Sequence, residues 1–366
     1  MLTSQHRPRL GIMTCHLFSE EGFFRFLAQA GQKMGMEVIV FQPQSYSSKE
    51  GKIYGIHWRG GKWRKGWFEK PHLIYDRCFY PNSRVYQQLQ PFLQNLKKDP
   101  FIHFLGFGLH GKLQIVQLLS KHEQLAHFLP PTEAFTSTAL LRKWLDRFQT
   151  IILKPTGGSL GKRILRIQQL KKQYFVAGRN RSNQYFQQRF QQESSLLAWL
   201  KQFMGGSSYV IQPYLSLQTK DEIPFDCRLL VQKNGHGKWQ LTGQAIRLGK
   251  QGQITSNLHG GGTAMPVQHF LKKYYKPEQQ DAIQRQINII LQHLPHYLEE
   301  QHGRLVELGI DIGIEPSGRV WIIEANSKPG RRVFSIIGDK QTSEAAHLQP
   351  IYYAKYLLTS NKEVVN

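Results

Sequence analysis

Near its C-terminal end the chain reads DIGIEPSGRVWIIEANSKPG, residues 311–330. The turn formers Pro316, Ser317, Gly318 and Arg319 separate two β-rich apolar runs, which predicts a hairpin. Centred between Ser317 and Gly318, that hairpin sets Asp311 directly opposite Glu324. Cross-strand partners have Cβ atoms roughly 4.5–5.5 Å apart, and like charges there repel. Strand side chains alternate faces, so Asn326 shares the face of Glu324. Two carboxylates and an amide oxygen thus meet inside apolar strands, in a chain with only 25 acidic residues among 366. A hard divalent cation held by oxygen donors would relieve the repulsion. The alternative is a partly exposed hairpin with solvated acids or Lys/Arg partners, since acid clusters are often plain ion-pair networks.

A chain of this length is expected to form two or three domains. It has no run of about 18 apolar residues, so no membrane span is expected. The opening MLTSQHRPRLGIMT lacks the apolar stretch of a signal peptide. Cys15, Cys78 and Cys227 are isolated in sequence, with neither metal-type spacing nor an even framework, which fits a reducing cytoplasm. The net charge of +23 predicts attraction to polyanions such as nucleic acid, anionic lipid or acidic polymers, and suits a site that handles phosphates.

Along the chain, PRLGIMTC, EEGFFRFLAQAGQKMG and EVIVFQP read as a βαβ start to an open α/β domain. No G-x-G-x-x-G fingerprint accompanies it. Residues 52–70 interleave aromatic and basic side chains. One reading is a nucleic-acid platform; the other, which the period-2 alternation favours, is a surface hairpin turning at Gly60-Gly61. GKLQIVQLLSKHEQL reads as one helix beginning at Lys112, residues 193–204 as a short amphipathic helix, and residues 277–302 as a long one with Ile283, Ile287, Ile290, Leu294 and Leu298 aligned. SYVIQPYL has the pattern of a buried strand, and two antiparallel strands joined at KNGHGK span Asp226 to Ala245.

ILKPTGGSLGKRI, residues 152–164, is a strand, a glycine-rich turn and a second apolar run. Glycines let backbone N–H groups approach phosphate closely. The spacing is not that of a Walker A loop; a hairpin folding over a nucleotide is the alternative to an ordinary glycine-rich turn. Arg228 and Arg247 sit among apolar residues in FDCRLLV and GQAIRLG. If buried, each needs a partner, and with few acids available an anionic ligand is a candidate; otherwise they face solvent. The 15 histidines form no H-E-x-x-H, and no Ser-His-Asp or Cys-His set stands out.

Taken in order, HGKLQIVQLL…LPPT, LKPTGGSLG, VIQPYL, FDCRLLV, ITSNLHGGG and GIDIG…WIIEANSKPG resemble the ATP-grasp superfamily over roughly residues 108–335. LIYDR, LLSKHEQLAHFLPPT and EANSKPGRR resemble its YheC/YheD group, associated with endospore coats. The resemblance implies an α/β (α+β) ATP-grasp fold. An open α/β pre-ATP-grasp domain would occupy 1–107. An ATP-grasp domain would occupy 108–358, with a lid at about 132–212 and an antiparallel-sheet subdomain at about 213–358.

The resemblance also implies roles for individual residues. Lys112 and Lys154 would contact the ATP phosphates, and the loop of Gly157, Gly158, Ser159 and Gly161 would fold over them. Gln212, Pro213, Tyr214 and Leu215 would hold adenine through backbone groups; the family often has an acid where Pro213 stands. Asp221, with Glu222 as a rival, would bind ribose, and Asn257 lies before a second glycine loop on the nucleotide. Arg228, Arg247 and Asn326 would form the catalytic set, with the arginines neutralising the transferring phosphate or substrate carboxylate. Asp311, Glu324 and Asn326 would hold one or two Mg²⁺, or Mn²⁺ in their place.

The implied reaction is ATP-dependent carboxylate–amine ligation through an acyl phosphate, on an amino acid, peptide or acidic polymer. The competing expectations are a non-catalytic spore-coat protein that keeps the fold, with coat proteins as partners, and a polyanion binder using residues 52–70.

Overall fold

The computed structural model describes residues 7–80, 82–157, 161–171, 173–254, 256 and 261–360. The N-terminal elements are β1 (Arg9–Met13), α1 (Glu21–Lys33), β2 (Glu37–Ser47), β3 (Lys52–Arg59), β4 (Lys62–Glu69), β5 (Leu73–Asp76), α2 (Ser83–Lys98) and β6 (His103–Phe104). They form a six-stranded sheet in the order β4-β3-β2-β1-β5-β6. β1 pairs in parallel with β2 and β5, and β5 with β6. α1 buries Phe23, Phe24 and Leu27 on this sheet, as its near-helical spacing predicts. Residues 52–70 form the antiparallel hairpin β3–β4, with Gly60 and Gly61 at positive φ in its turn.

The middle elements are α3 (Lys112–Leu119), α4 (Glu123–Ala126), β7 (Glu133–Phe135), α5 (Thr138–Phe148), β8 (Thr150–Pro155), β9 (Leu165–Leu170), β10 (Gln173–Arg179), β11 (Tyr185–Phe190), α6 (Glu193–Met204) and β12 (Tyr209–Pro213). Their sheet runs β11-β10-β9-β8-β12-β7. α5 and α6 cover it, burying Leu141, Trp144, Leu145, Leu196 and Leu200. The single helix expected from Lys112 is two helices. His122 takes an extended backbone (φ −91°, ψ 118°), and its ring lies against those of His293 and Tyr297, so that packing outweighs continuation of the helical pattern.

The C-terminal elements are β13 (Phe225–Lys233), β14 (Trp239–Leu248), β15 (Thr263–Met265), α7 (Val267–Tyr274), α8 (Pro277–His302), β16 (Glu307–Ile314), β17 (Val320–Asn326), α9 (Arg332–Ile336) and α10 (Lys340–Ser360). An antiparallel sheet runs β15-β14-β13-β16-β17. One face packs on α8: Cys227, Leu229, Val231, Ile310 and Ile312 share a core with Ile283, Ile287 and Ile290. Because side chains alternate along a strand, the intervening residues of β13, β14 and β16 point to the other face. α10 returns to the N-terminal sheet, where Ile351, Ala354 and Leu357 join the core of Leu10 and Leu27.

The terminal hairpin pairs Asp311 with Glu324, as the turn predicts. Its phase is less simple than a regular ladder. Near the turn Ile314 faces Val320 and Ile312 faces Ile322, and the register then shifts by one so that Asp311 meets Glu324 and Gly309 meets Asn326. Ile323 is the extra residue of this β-bulge, which re-aims the strand end.

Candidate functional site

The face of the C-terminal sheet turned away from α8 gathers charges that belong to neighbouring strands. In register, Asp226 of β13 lies opposite Arg247 of β14, and Arg228 of β13 opposite Asp311 of β16. Arg228 donates from Nε to Asp311 Oδ1 at 2.5 Å and from Nη2 to Oδ2 at 3.1 Å. Arg247 Nη2 lies 2.8 Å from the same Oδ2, while its Nε donates to Asp226 Oδ1 at 2.6 Å. The Ser256 hydroxyl donates to the other Asp226 oxygen. Buried Arg228 and half-buried Arg247 therefore find their partners within the chain, in the very carboxylate expected to hold metal. Asp226 and Ser256 complete the cluster. The Asp-x-Arg pattern in FDCRLLV was the available signal for Asp226; Ser256 gave none.

Burial pushes the Asp311 carboxyl up, but the guanidiniums of Arg228 and Arg247 outweigh it and hold the group below its ordinary value. Asp226 moves the other way. Burial dominates and the nearby Asp311 charge adds to it, so the group stands above its ordinary value despite Arg247. Room for this cluster depends on Gly309. A Cβ there would lie 2.7 Å from the Pro329 Cβ, 3.0 Å from Arg228 Nη1 and 3.2 Å from Asn326 Oδ1.

At the neighbouring strand end Lys112, at the start of α3, brings Nζ to 3.4 Å from Glu324 Oε2. Lys154 of β8 pairs in register with Val210 of β12 and is half-buried. Burial first, and then the charge of Lys112, push its ammonium down to about 8, against the pull of Glu324. Lys112, Lys154 and Glu324 thus interact electrostatically although they come from three elements. The Ser327 hydroxyl accepts the Leu109 N–H at 2.9 Å, tying the loop before α3 to the end of β17.

The other predicted residues divide. Gln212 is buried and donates from Nε2 to Thr132 Oγ1 at 2.7 Å. Pro213 ends β12 opposite Ile151, and the Tyr214 N–H donates to Thr150 O at 3.0 Å. Leu215 O accepts the Leu217 N–H at 2.9 Å. Gly157 has open space where a Cβ would stand, and Gly161 has a φ of 66°, a left-handed conformation that favours glycine. Asp221 and Glu222 are exposed on the turn between β12 and β13. Gly158, Ser159 and Asn257 lie outside the described residues.

Asp311, Glu324 and Asn326 supply hard oxygen donors, the chemistry that Mg²⁺ or Mn²⁺ takes. The two carboxylates face each other in register and Asn326 follows on the same strand, so the donor set fits such a cation. Among the described residues no three His, Cys, Asp or Glu side chains converge on one point; this set relies on an amide for its third member. Both Asp311 oxygens are engaged by arginine, so a cation taking them would have to draw those guanidiniums onto other anions.

The matching family model is described as YheC/D like ATP-grasp and covers residues 101–357. Endospore coat-associated protein YheC of Bacillus subtilis (strain 168) is 30% identical over 356 residues, 97% of each chain. Endospore coat-associated protein YheD of the same organism is 28% identical over 340 residues, 92% of this chain and 74% of the relative. Among solved structures, the D-cycloserine synthetase DcsG superposes with a TM-score of 0.55 at 14% identity, covering 95% of this chain and 99% of that one, a likeness of fold. With a family match across most of its length and full-length similarity to YheC, the chain belongs to the YheC/D-like ATP-grasp family.

Proposed function

We propose that this chain binds Mg·ATP and joins a carboxylate to an amine through an acyl phosphate. The observation that carries the reading is the convergence of Lys112 and Lys154 with Glu324, beside the Arg228–Asp311–Arg247 clamp. In a chain with so few acids, four cations, Lys112, Lys154, Arg228 and Arg247, gathered about three carboxylates, Asp226, Asp311 and Glu324, leave a cradle suited to phosphate oxygens. Lys112 and Lys154 would bind the phosphates, and residues 157–161 would close over them. Gln212 to Leu215 would hold adenine by backbone groups, with Asp221 or Glu222 at the ribose and Asn257 as a further nucleotide contact. Asp311, Glu324 and Asn326 would hold Mg²⁺, which when bound neutralises charge on the phosphates. The domain division that goes with this reading is 1–107 and 108–358, with the lid at about 132–212.

In the reaction, a substrate carboxylate oxygen attacks the γ-phosphorus and ADP leaves. The amine then attacks the acyl carbon, and phosphate departs. Arg228 and Arg247 would release Asp311 in part to meet the phosphoryl group, so the chain contributes positioning and charge neutralisation rather than a covalent nucleophile. The carboxylate is that of an amino acid, peptide or acidic polymer, the last favoured by the net charge of +23.

A second reading draws on Asp311 having both oxygens occupied by guanidiniums: a spore-coat-associated binding protein that keeps the nucleotide site without turnover. Its coat setting rests on the names of the relatives.

Thermal unfolding with Mg²⁺, ATP and Mg·ATP, on the natural chain and on Glu324→Gln, tests the nucleotide site. A ligand at 100 times its Kd stabilises by about 2.7 kcal/mol. A shift that needs Mg²⁺ and vanishes in the variant supports the site; a shift indifferent to both removes it. ADP release on a screen of carboxylates and amines then separates the ligase from the binding protein.

A further inference from the structure

Two of the three cysteines, isolated in sequence, meet in the fold. β1 and β5 run in parallel with Met13 paired to Asp76, and the ladder continues with the Arg77 N–H on Met13 O at 2.8 Å. Two residues beyond that last pair each chain carries a cysteine, Cys15 and Cys78. Both cysteines lie just past the paired segment, and the strands they leave run roughly 4.7–4.9 Å apart, inside the Cα window of about 4.4–6.8 Å that a disulfide accepts. Both side chains point to one face, where they share a core with Met13 and Ile74, and each thiol is the largest influence on the other's acidity.

The surroundings distinguish the two sulfurs. Cys15 is 9% exposed and Cys78 2%, so Cys15 is the sulfur a reagent in solution meets first; the neighbouring Cys78 thiol and the Lys328 ammonium, opposed by burial, hold Cys15 below its ordinary value. The Cys15 thiol and burial raise Cys78, against the pull of the same Lys328. Lys328 Nζ is 2.8 Å from Asp76 Oδ1 and donates to Cys78 O at 2.9 Å. The Cys78 N–H donates to the same Asp76 oxygen at 2.8 Å. Two thiols side by side near a lysine, the outer one placed to attack and the inner one to resolve, are the arrangement of a redox-active dithiol.

We propose that Cys15 and Cys78 form a dithiol modification site that reacts with low-molecular-weight disulfides, Cys15 attacking and Cys78 resolving. The Cys15 thiolate bonds to one sulfur of the small disulfide and its other half leaves as a thiolate. Cys78 gives its proton to that thiolate and attacks the Cys15 sulfur, expelling the second half. Two protein thiols are oxidised to one disulfide and one small disulfide is reduced to two thiols. The bond would fasten the loops after β1 and β5 beneath Lys328, two residues from Asn326. The site stands on the β1–β5 register and not on the nucleotide reading, so either can fail alone.

The full chain is incubated with oxidised glutathione under native conditions, trapped with N-ethylmaleimide after acid quench and unfolding, and mapped by mass spectrometry. The expected result is loss of two of the three alkylatable thiols, a Cys15–Cys78 cross-linked peptide, and Cys227 still alkylated. Cys78→Ser should stop at a glutathione adduct on Cys15, and Cys15→Ser should accumulate neither adduct nor cross-link. Three alkylatable thiols after treatment, a cross-link through Cys227, or separate adducts on both cysteines with no bond between them would overturn the proposal. The wild-type map decides even where a serine variant folds poorly.

Discussion

Lys154→Met should make the unliganded protein more stable near neutral pH. The lysine is half-buried in β8, with Lys112 beside it, and its ammonium is pushed from 10.5 to about 8. The folded state thus disfavours the charged form that the unfolded chain keeps. At about 1.36 kcal/mol for each pH unit, full conversion would be about 3.4 kcal/mol. Solvent screening of a half-buried group reduces this, and we expect about 1–3 kcal/mol. The sign follows from proton counting. Between about pH 8 and 10.5 the unfolded state holds more protons, so wild-type stability gains on this account as pH rises. Below pH 8 both states are protonated and the penalty is present in full. The advantage of Lys154→Met, which keeps the apolar stem, should be constant below pH 8 and shrink toward pH 10.5. Chemical denaturation of both proteins from pH 6.5 to 10 measures it, and the difference between them cancels other titrating groups. An equal or lower stability for the variant at pH 7, or a difference that does not change with pH, would refute the electrostatic reasoning. In the reading proposed above Mg·ATP reverses the order, because phosphate favours the charged lysine.

Three further outcomes follow from the geometry. Glu307 is wholly buried and accepts from Tyr75, Arg77, Gln232 and Arg331; Glu307→Gln, which removes the charge facing two buried arginines, should cost about 3–5 kcal/mol in urea unfolding, and a loss under 1 kcal/mol would show that Glu20 suffices for Arg77. Gly309→Ala should cost about 1–3 kcal/mol, because its Cβ would lie 2.7 Å from that of Pro329, and should also weaken Mg·ATP stabilisation by displacing Arg228 and Asn326. Tyr54 and Trp67, 41% and 57% exposed, meet edge to face across the β3–β4 hairpin beside Lys65; if this hairpin is a nucleic-acid platform, retention on single-stranded DNA falls steeply with salt and weakens in a Tyr54→Ser, Trp67→Ser double variant, and a variant that binds unchanged removes this hairpin as the platform.

What could be read from the sequence was local. Asp311 opposite Glu324 follows from Pro316 to Arg319 and a period of two, because a hairpin turn fixes register within a few residues. The bulge at Ile323 left no mark in the apolar run, so the phase near the turn could not be foreseen. Lys112 and Lys154 entered through an ordered resemblance, not through spacing, and their approach to Glu324 needs three elements packed together. Asp226 opposite Arg247 spans the KNGHGK turn, yet a register shift at Leu230/Val231 intervenes, and only the structure shows which acid each arginine takes. Cys15 and Cys78 were beyond reach for another reason. Parallel strands have no shared turn, so nothing near either cysteine sets their register.

The same sheet face carries two charge clusters, and their difference in burial assigns them different work. At one end Gln232 and Glu307 meet Tyr75, Arg77 and Arg331 with no exposure at Glu307. Opening that cluster would strand charges from the N-terminal strand β5 and from the segment leading into α9, so it acts as a fixed weld between the N- and C-terminal sheets. At the other end Asp226, Arg228, Arg247 and Asp311 are joined mostly to one another, close to Lys112, Lys154 and Glu324 at the strand ends. Arginines there can exchange one anion for another without leaving a charge unpaired. A phosphate arriving with its own cation would replace what each group gives up. On this account charge removal at the weld costs stability whether or not nucleotide is present. At the open end its cost depends on nucleotide. Glu307→Gln and Glu324→Gln, each unfolded with and without Mg·ATP, measure that contrast directly: the first should lower stability equally in both conditions, the second chiefly in the presence of Mg·ATP. Equal responses from the two variants would show that the clusters do one job.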